Sequence, residues 1–233
     1  KLGMVSQTIT NLENLTHARE TAPAIKGLLA EMKRVAGRLN LHGERASADH
    51  HLEMAEEALA LDVNDITCRM ALGFAKLNAG QTKSAFEIGK GILAMSPPLS
   101  LLHKARMLVS LANTEDAEVP AATLAETSGS GTFYMEEFAQ IIPKLRAGEL
   151  GTADQILSSS LYGNVFWLHV FQAAVCAESG DLQRAQYSGN RIKKLVPGME
   201  HLIAPLVSAF FPKENESHYI ISGLRKSGLP IKS

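Results

Sequence analysis

Apolar residues along the chain recur at the three- and four-residue spacing of an α-helix almost throughout. Three such faces are formed by Ile25, Leu28, Leu29, Met32, Val35, Ala36 and Leu39; by Leu52, Met54, Ala55, Ala58 and Leu59; and by Phe138, Ile141, Ile142 and Leu145. The two-residue alternation typical of strands does not extend over any useful length, and no Asn-Gly or Asp-Gly hairpin turn occurs. The chain is therefore predicted to be all-α, with about a dozen helices.

Start and stop signals support the same interpretation. Asp65 and Asp181 each precede a helical run and are suited to cap its first turn. Thr152 and Gln155 have the spacing of a capping box, which predicts another helix start. Glycines suited to end helices stand at Gly80, Gly148 and Gly180.

The residues around two of these glycines match at fixed offsets, which predicts an internal repeat. A small residue lies seven positions before each glycine, an alanine five positions after it and a proline seventeen positions after it. The matching residues are Gly73, Gly80, Ala85 and Pro97 in one copy and Ala173, Gly180, Ala185 and Pro197 in the other.

A partial copy surrounds Gly148, with Ile141 before it and Ala153 after it. Gly80 and Gly148 are 68 residues apart, which is two periods of 34. A degenerate copy is expected between them, with its turn near Thr114 and its alanine near Ala117 or Val119. The glycine- and serine-rich stretch Thr127–Thr132 is predicted to be a loop in that region.

The pattern is what stacked pairs of antiparallel helices require. Small residues let two helix backbones approach, glycine supplies the left-handed turn, and proline ends the second helix. One pair cannot bury its own apolar face, so neighbouring pairs stack and share a core.

The stretch Ile66–Leu99 resembles a tetratricopeptide repeat, as does Phe166–Met199, and Ala55–Asp65 is similar to the end of an earlier copy. The first stretch has the signature residues Leu72, Gly73, Gly80, Ala85 and Pro97, and it departs from the pattern at Arg69, Gly89 and Ile92. The resemblance implies a right-handed superhelix of helical hairpins forming one domain over 1–233. It would comprise N-terminal helices at 1–45, repeats at 46–199 and C-terminal capping helices at 200–233.

The segment His218–Pro230 is similar to the closing segment of a group of bacterial signalling proteins. In those proteins a tetratricopeptide array follows a class III adenylate cyclase domain or a winged-helix DNA-binding domain. Their arrays commonly end in Gly-Leu-Arg-Lys-Ala-Gly-Leu-Pro, which Gly223–Pro230 matches with Ser227 for the alanine. This resemblance implies the non-catalytic regulatory part of a longer signalling or transcription-regulating protein.

In such repeats the first helix of each pair lines a concave, partner-binding face. The register predicts that this face carries Met70, Phe74, Leu77, Leu101, Lys104, Leu108, Phe138, Ile142, Leu145, Trp167 and Val170. An apolar groove of this size is not expected to stay exposed to solvent. It would be occupied by a protein or peptide partner, by a second copy of the chain, or by the chain's own N-terminal helices, with Val5–Leu15 as a candidate. Trp167 has two interpretations, as a core residue or as an exposed anchor in the groove.

Composition narrows the function classes. Lys plus Arg number 23 and Asp plus Glu 24, for a formal charge of −1, so a nucleic-acid surface is not expected. The basic residues Arg191, Lys193, Lys194, Arg225 and Lys226 are instead expected to interact with helix dipoles. No apolar run is long enough to span a bilayer, and Lys1–Thr10 lacks the features of a signal peptide, so a cytoplasmic location is expected.

The densest set of potential metal ligands is Asp49, His50, His51 and Glu53. A polar helix end is the favoured interpretation because no second histidine pair or H-E-x-x-H motif follows. Cys68 and Cys176 are expected to be buried free thiols. The sequence thus predicts no catalytic residue, metal or cofactor, and a helical sensor for a metal or small molecule stays as the alternative function.

Overall fold

The computed structural model describes residues 2–16, 22–38, 47–113, 134–160, 163–198, 200–211 and 213–231. Within these ranges every regular element is helical and no strand occurs. The prediction of an all-α chain with about a dozen helices is therefore confirmed for this part of the chain. The chain divides into two compact units, Lys1–Ala117 and Glu118–Ser233. The predicted boundaries at residues 45 and 199 stay predictions.

The first unit contains six of the described helices, and each packs against its neighbours along the chain. In addition, the second helix contacts the fourth and the fourth contacts the sixth, so alternate helices lie side by side. The helices are α1 (Leu2–Thr16), α2 (Pro23–Arg38), α3 (Ala48–Leu61), α4 (Ile66–Asn78), α5 (Thr82–Ala94) and α6 (Leu99–Ala112).

Alanines form the contact between α2, α3 and α4. Ala30, Ala55, Ala71 and Ala75 are all buried in one cluster, with larger side chains such as Leu52 packed around it. Small side chains bring helix axes closer together, because the interaxial distance depends on the residues at the contact. This explains why an apolar cluster with few bulky residues forms a continuous core.

Helix α2 packs against α1 on one side and against α4 on the opposite side. Leu29 and Ala36 pack against Ile9 and Leu12 of α1, whereas Gly27, on the opposite side of α2, lies against the backbone of Cys68 in α4. Leu28 projects between the two buried sides and is 38% exposed. Leu39 lies outside the described residues.

The N-terminal helix, which contains Val5–Leu15, packs on α2. Ile9 is fully buried and Leu12 is 8% exposed, but Leu15 is 51% exposed. The side chains of α1 cover α2, and α2 in turn packs on α4. N-terminal helices therefore cover part of the first unit's predicted concave face, with α2 in direct contact with α4.

The second unit contains six further described α-helices and one short 3-10 helix. Its central helix, the ninth, packs against the seventh, eighth, tenth and twelfth helices. The elements are α7 (Tyr134–Arg146), α8 (Leu150–Ser159), α9 (Phe166–Glu178), α10 (Leu182–Leu195), the 3-10 helix Glu200–Leu202, α11 (Ile203–Phe210) and α12 (Glu214–Lys226).

The three predicted helix-ending glycines all adopt the left-handed conformation. The φ angles are +75° at Gly80, +70° at Gly148 and +84° at Gly180. At each one, the next residue donates its backbone N–H to the carbonyl five residues earlier, at 2.8 Å for Gln81, 2.9 Å for Glu149 and 2.8 Å for Asp181. This is the Schellman arrangement, which satisfies carbonyls left unpaired at a helix end. The predicted helix ends are confirmed.

The second helix of each hairpin begins directly after its glycine. Ala85, Ala153 and Ala185 are fully buried, and each donates its N–H at 3.0 Å to the residue that follows the glycine. The hairpins α4–α5, α7–α8 and α9–α10 thus share one turn and one buried alanine.

Two of the three predicted helix starts are confirmed. Asp65 accepts a hydrogen bond from the Cys68 N–H at 2.8 Å and Asp181 accepts one from the Arg184 N–H at 3.0 Å. The prediction of a capping box at Thr152 is wrong, because α8 begins immediately after the Gly148 turn and its N-cap residue is Glu149. The degenerate turn near Thr114, with Ala117 or Val119, and the loop Thr127–Thr132 lie outside the described residues.

Candidate functional site

Aromatic side chains from α7, α9 and the C-terminal end of α11 meet in the second unit. The Phe171 ring of α9 lies 4.6 Å from Phe138 of α7 and 5.7 Å from Phe211, which follows α11. Both contacts are edge-to-face, the arrangement that aromatic quadrupoles favour. Phe138, Phe171 and Phe211 are each at most 2% exposed, so these three rings form the core of the unit.

A second set of rings lies at the surface of this core. The Trp167 ring is 5.4 Å from Phe166, 4.8 Å from Phe210 and 5.6 Å from Phe138. Phe166, Trp167 and Phe210 are all partly exposed, and we call these three residues the aromatic edge. The first turn of α9 supplies two of them and the end of α11 supplies the third.

Trp167 was singled out from the sequence, but Phe166 and Phe210 of the aromatic edge were not. A usable signal was present, since the adjacent Phe210 and Phe211 close an apolar run that starts at Leu202 and contains no charged residue. The location of this run beside Trp167 depends on tertiary packing and could not be deduced from helix periodicity. Trp167 packs on the core and stays partly exposed, and its role as an anchor in a binding groove stays a prediction.

Most of the predicted concave-face residues are buried between helices. Arg34 of α2 lies over the Phe74 ring, with its guanidinium carbon 5.4 Å from the ring centroid. Lys104 pairs with Glu31 of α2 at 3.5 Å. The buried members are Met70, Phe74, Leu77, Leu108, Phe138, Ile142 and Val170, and the partly exposed members are Leu101, Lys104, Leu145 and Trp167.

Within the second unit, Phe138 and Trp167 lie in contact. A partner could reach Met70 or Phe74 only after α2 or another neighbouring helix moved. The role of the full set in binding stays a prediction.

The histidine cluster does not converge on one point. His50 Nδ1 lies 3.9 Å from Glu53 Oε2, and both side chains are well exposed. His51 is 1% exposed and so faces the interior, away from this pair. In the described part of the chain, no group of three histidine, cysteine or carboxylate side chains is arranged to hold a metal ion.

Both cysteines are buried free thiols, as predicted. Burial, reinforced by the charge of Asp65, raises the pKa of Cys68 from 9.0 to about 12, and its Sγ donates to the Pro23 carbonyl at 3.1 Å. Burial also raises the pKa of Cys176, whose Sγ lies 3.9 Å from Asp154 Oδ1. Because the thiolate is the nucleophile, these environments suppress thiol reactivity.

The basic residues near the ends of α10 and α12 make specific contacts within the unit. Arg191 donates to the Gly163 carbonyl at 3.0 Å and to Asn164 Oδ1 at 2.6 Å. Lys193 donates to the Gly228 carbonyl at 3.0 Å, and Lys226 pairs with Glu178 at 2.6 Å. These contacts add to the helix-dipole role expected from the sequence, since four of the predicted residues lie in last turns.

An open depression of about 590 Å³ lies at the start of α12. Its lining residues are Lys213, Glu214, Asn215 and His218. Nearby, Arg146 of α7 donates to both carboxylate oxygens of Glu216, at 2.6 and 3.0 Å, and so ties α7 to α12. The depression thus combines positive and negative groups and has no aromatic ring in its lining.

None of the described helices has both the length and the apolar character needed to cross a bilayer. Comparison with protein-family models finds no match to this chain, and comparisons with curated proteins and with solved structures find none either.

Proposed function

We propose that the chain is a helical-hairpin module that binds a protein or peptide partner and has no catalytic activity of its own. The observation that carries the proposal is the aromatic edge, where three aromatic rings from two helices remain partly exposed on a buried aromatic core. Tryptophan and other aromatic residues dominate the energetics of many protein interfaces because they bury a large area at low entropic cost. The fitting partner is a segment that presents apolar side chains on one face.

We further propose that the module is the regulatory tetratricopeptide region of a larger, cytoplasmic bacterial signalling or transcription-regulating protein. The resemblances of Ile66–Leu99 and His218–Pro230 support this, together with the shared turn of the three described hairpins. In that setting, partner binding is relayed to an attached effector domain, such as an adenylate cyclase or winged-helix domain. The effector domain itself and a second copy of the chain are alternative occupants of the aromatic edge.

The test is selection of binding peptides from a random displayed library, followed by titration of each peptide into the full chain. Trp167 is the single tryptophan, so its emission reports binding at the aromatic edge directly. We expect selected peptides to carry apolar residues at helical spacing and to shift the emission. Phe166→Ser and Phe210→Ser should each weaken binding about tenfold or more, because each removes ring contacts from the centre of the interface.

Tyr187→Ser is the matched control. Tyr187 is an aromatic residue of α10 in the same unit and is 63% exposed. This variant should bind the selected peptides as the wild type does. Equal affinity of the Phe210→Ser and Tyr187→Ser variants, or failure to enrich any peptide, would contradict the proposal. A doubled mass by light scattering that Phe210→Ser abolishes would identify a second copy as the occupant.

A further inference from the structure

The chain leaving α12 turns back onto the second unit. Gly228 has a φ of +84° and donates its N–H to the Arg225 carbonyl at 3.0 Å, and the Leu229 N–H reaches the Leu224 carbonyl at 3.3 Å. These are the bonds of the turn seen in the three hairpins. No second helix follows in the described residues, and the returning segment buries Leu229 and Ile231, which are 4% and 8% exposed.

The returning segment rests on α10. A Cβ added to Gly189 would lie 2.8 Å from the Ser227 carbonyl oxygen, so the two backbones meet where α10 has no side chain. Lys193 of α10 donates to the Gly228 carbonyl at 3.0 Å, and Arg225 Nε donates to the Ile231 carbonyl at 3.3 Å. The segment is thus anchored from both α10 and α12.

The eight-residue motif Gly223–Pro230, which the sequence singles out by its resemblance, contains several of the residues that make these contacts. Gly223 permits close approach of α12 to Ala174 of α9, and Leu224 is fully buried. Ser227 donates its hydroxyl to the Leu224 carbonyl at 2.6 Å. One short stretch therefore contains the residues for the contact between α12 and α9, for the end of α12 and for the turn that brings the chain back.

The hairpin α9–α10 has contacts of its own that do not involve the returning segment. Cys176 and Ala177 pack against Ala185 across the hairpin, and Ser188 donates to Gln172 Oε1 at 3.1 Å. Release of the returning segment would therefore leave the hairpin paired, whereas α12 would lose part of its attachment.

We propose that residues 227–231 are a clasp that holds α12 on the α9–α10 hairpin and opens locally while the hairpin stays folded. Opening removes part of the attachment of α12 and exposes the side chains of Leu229 and Ile231. Local openings of this kind occur at free energies below that of global unfolding and are visible in amide hydrogen exchange.

The test compares Leu229→Asp with Pro230→Asp in the full chain by hydrogen exchange and mass spectrometry. Both variants place the same charge in the clasp, but Leu229 is buried and Pro230 is exposed. In Leu229→Asp we expect the amides of α12 to exchange about tenfold faster or more, with the α9–α10 amides unchanged. Pro230→Asp should exchange as the wild type does. Unchanged α12 exchange in Leu229→Asp, or equal acceleration over the whole unit, would overturn the proposal.

If Leu229→Asp does not fold, a pair of milder substitutions in α10 provides the same test. Lys193→Met removes the donor to the Gly228 carbonyl and retains most of the aliphatic stem. Lys194→Met makes the same change at the neighbouring exposed position. Exchange in α12 should rise about fivefold in Lys193→Met, as expected for one lost hydrogen bond, and stay at the wild-type rate in Lys194→Met. Identical exchange in the two variants would refute the clasp.

Discussion

Replacing Phe171 with alanine is expected to lower the free energy of unfolding of the second unit by about 3–5 kcal/mol. Phe171 is fully buried, and its ring contacts those of Phe138, Trp167 and Phe211. Truncation removes the transfer free energy of the ring and leaves a cavity that the surrounding rings fill only in part. Urea unfolding followed by Trp167 emission measures the loss, since the single tryptophan lies in this unit.

Tyr187→Ala is the control for this measurement. It also removes an aromatic ring from the second unit, but the side chain is 63% exposed, so we expect a change within about 0.5 kcal/mol. A loss below about 1 kcal/mol for Phe171→Ala, or the same loss in both variants, would show that the aromatic cluster is not the core of the unit.

Replacing Gly223 with alanine is expected to cost about 1–3 kcal/mol despite the better helix propensity of alanine. The new Cβ would lie 2.5 Å from the Ala174 Cα and 3.0 Å from the Ala174 carbonyl oxygen. These are backbone atoms inside α9, which cannot rotate away as a flexible side chain would. Helices α9 and α12 must therefore separate, and other contacts between them weaken.

Gly151→Ala in α8 provides a matched comparison in the same unit. A Cβ at Gly151 would meet no atom within 4 Å, and because Gly151 lies in the first turn of α8, alanine is expected to stabilise the unit slightly, by about 0.5 kcal/mol or less, through helix propensity. The two substitutions are chemically identical, and urea unfolding should give effects of opposite sign. Stabilisation by Gly223→Ala would contradict the close approach of α9 and α12.

The turns and two helix caps were predictable because they depend on local chemistry. A left-handed φ at Gly80 or Gly180 strongly favours glycine, and Asp65 caps the residues that directly follow it. The Thr152 prediction failed for a local reason as well, since the turn at Gly148 starts the next helix three residues before the expected position.

The candidate site was only partly predictable. Periodicity shows which side of a helix is apolar, but it does not show which element covers that side, and Phe74 is covered by Arg34 of α2. Trp167 and Phe210 are 43 residues apart in sequence, and their contact arises from tertiary packing. The aromatic edge therefore required the structure, whereas Trp167 alone could be singled out from the sequence.

The central claim is that the three described helical hairpins each contain the same type of turn, with a glycine in the left-handed conformation. Native-state hydrogen exchange of Gly80→Ala, Gly148→Ala and Gly180→Ala tests it most directly. A Cβ at each position meets no atom within 4 Å, so the cost is that of a left-handed backbone, about 1–2 kcal/mol. Each variant should accelerate exchange in its own hairpin about fivefold to thirtyfold. Wild-type exchange in the altered hairpin of any one variant would contradict the claim.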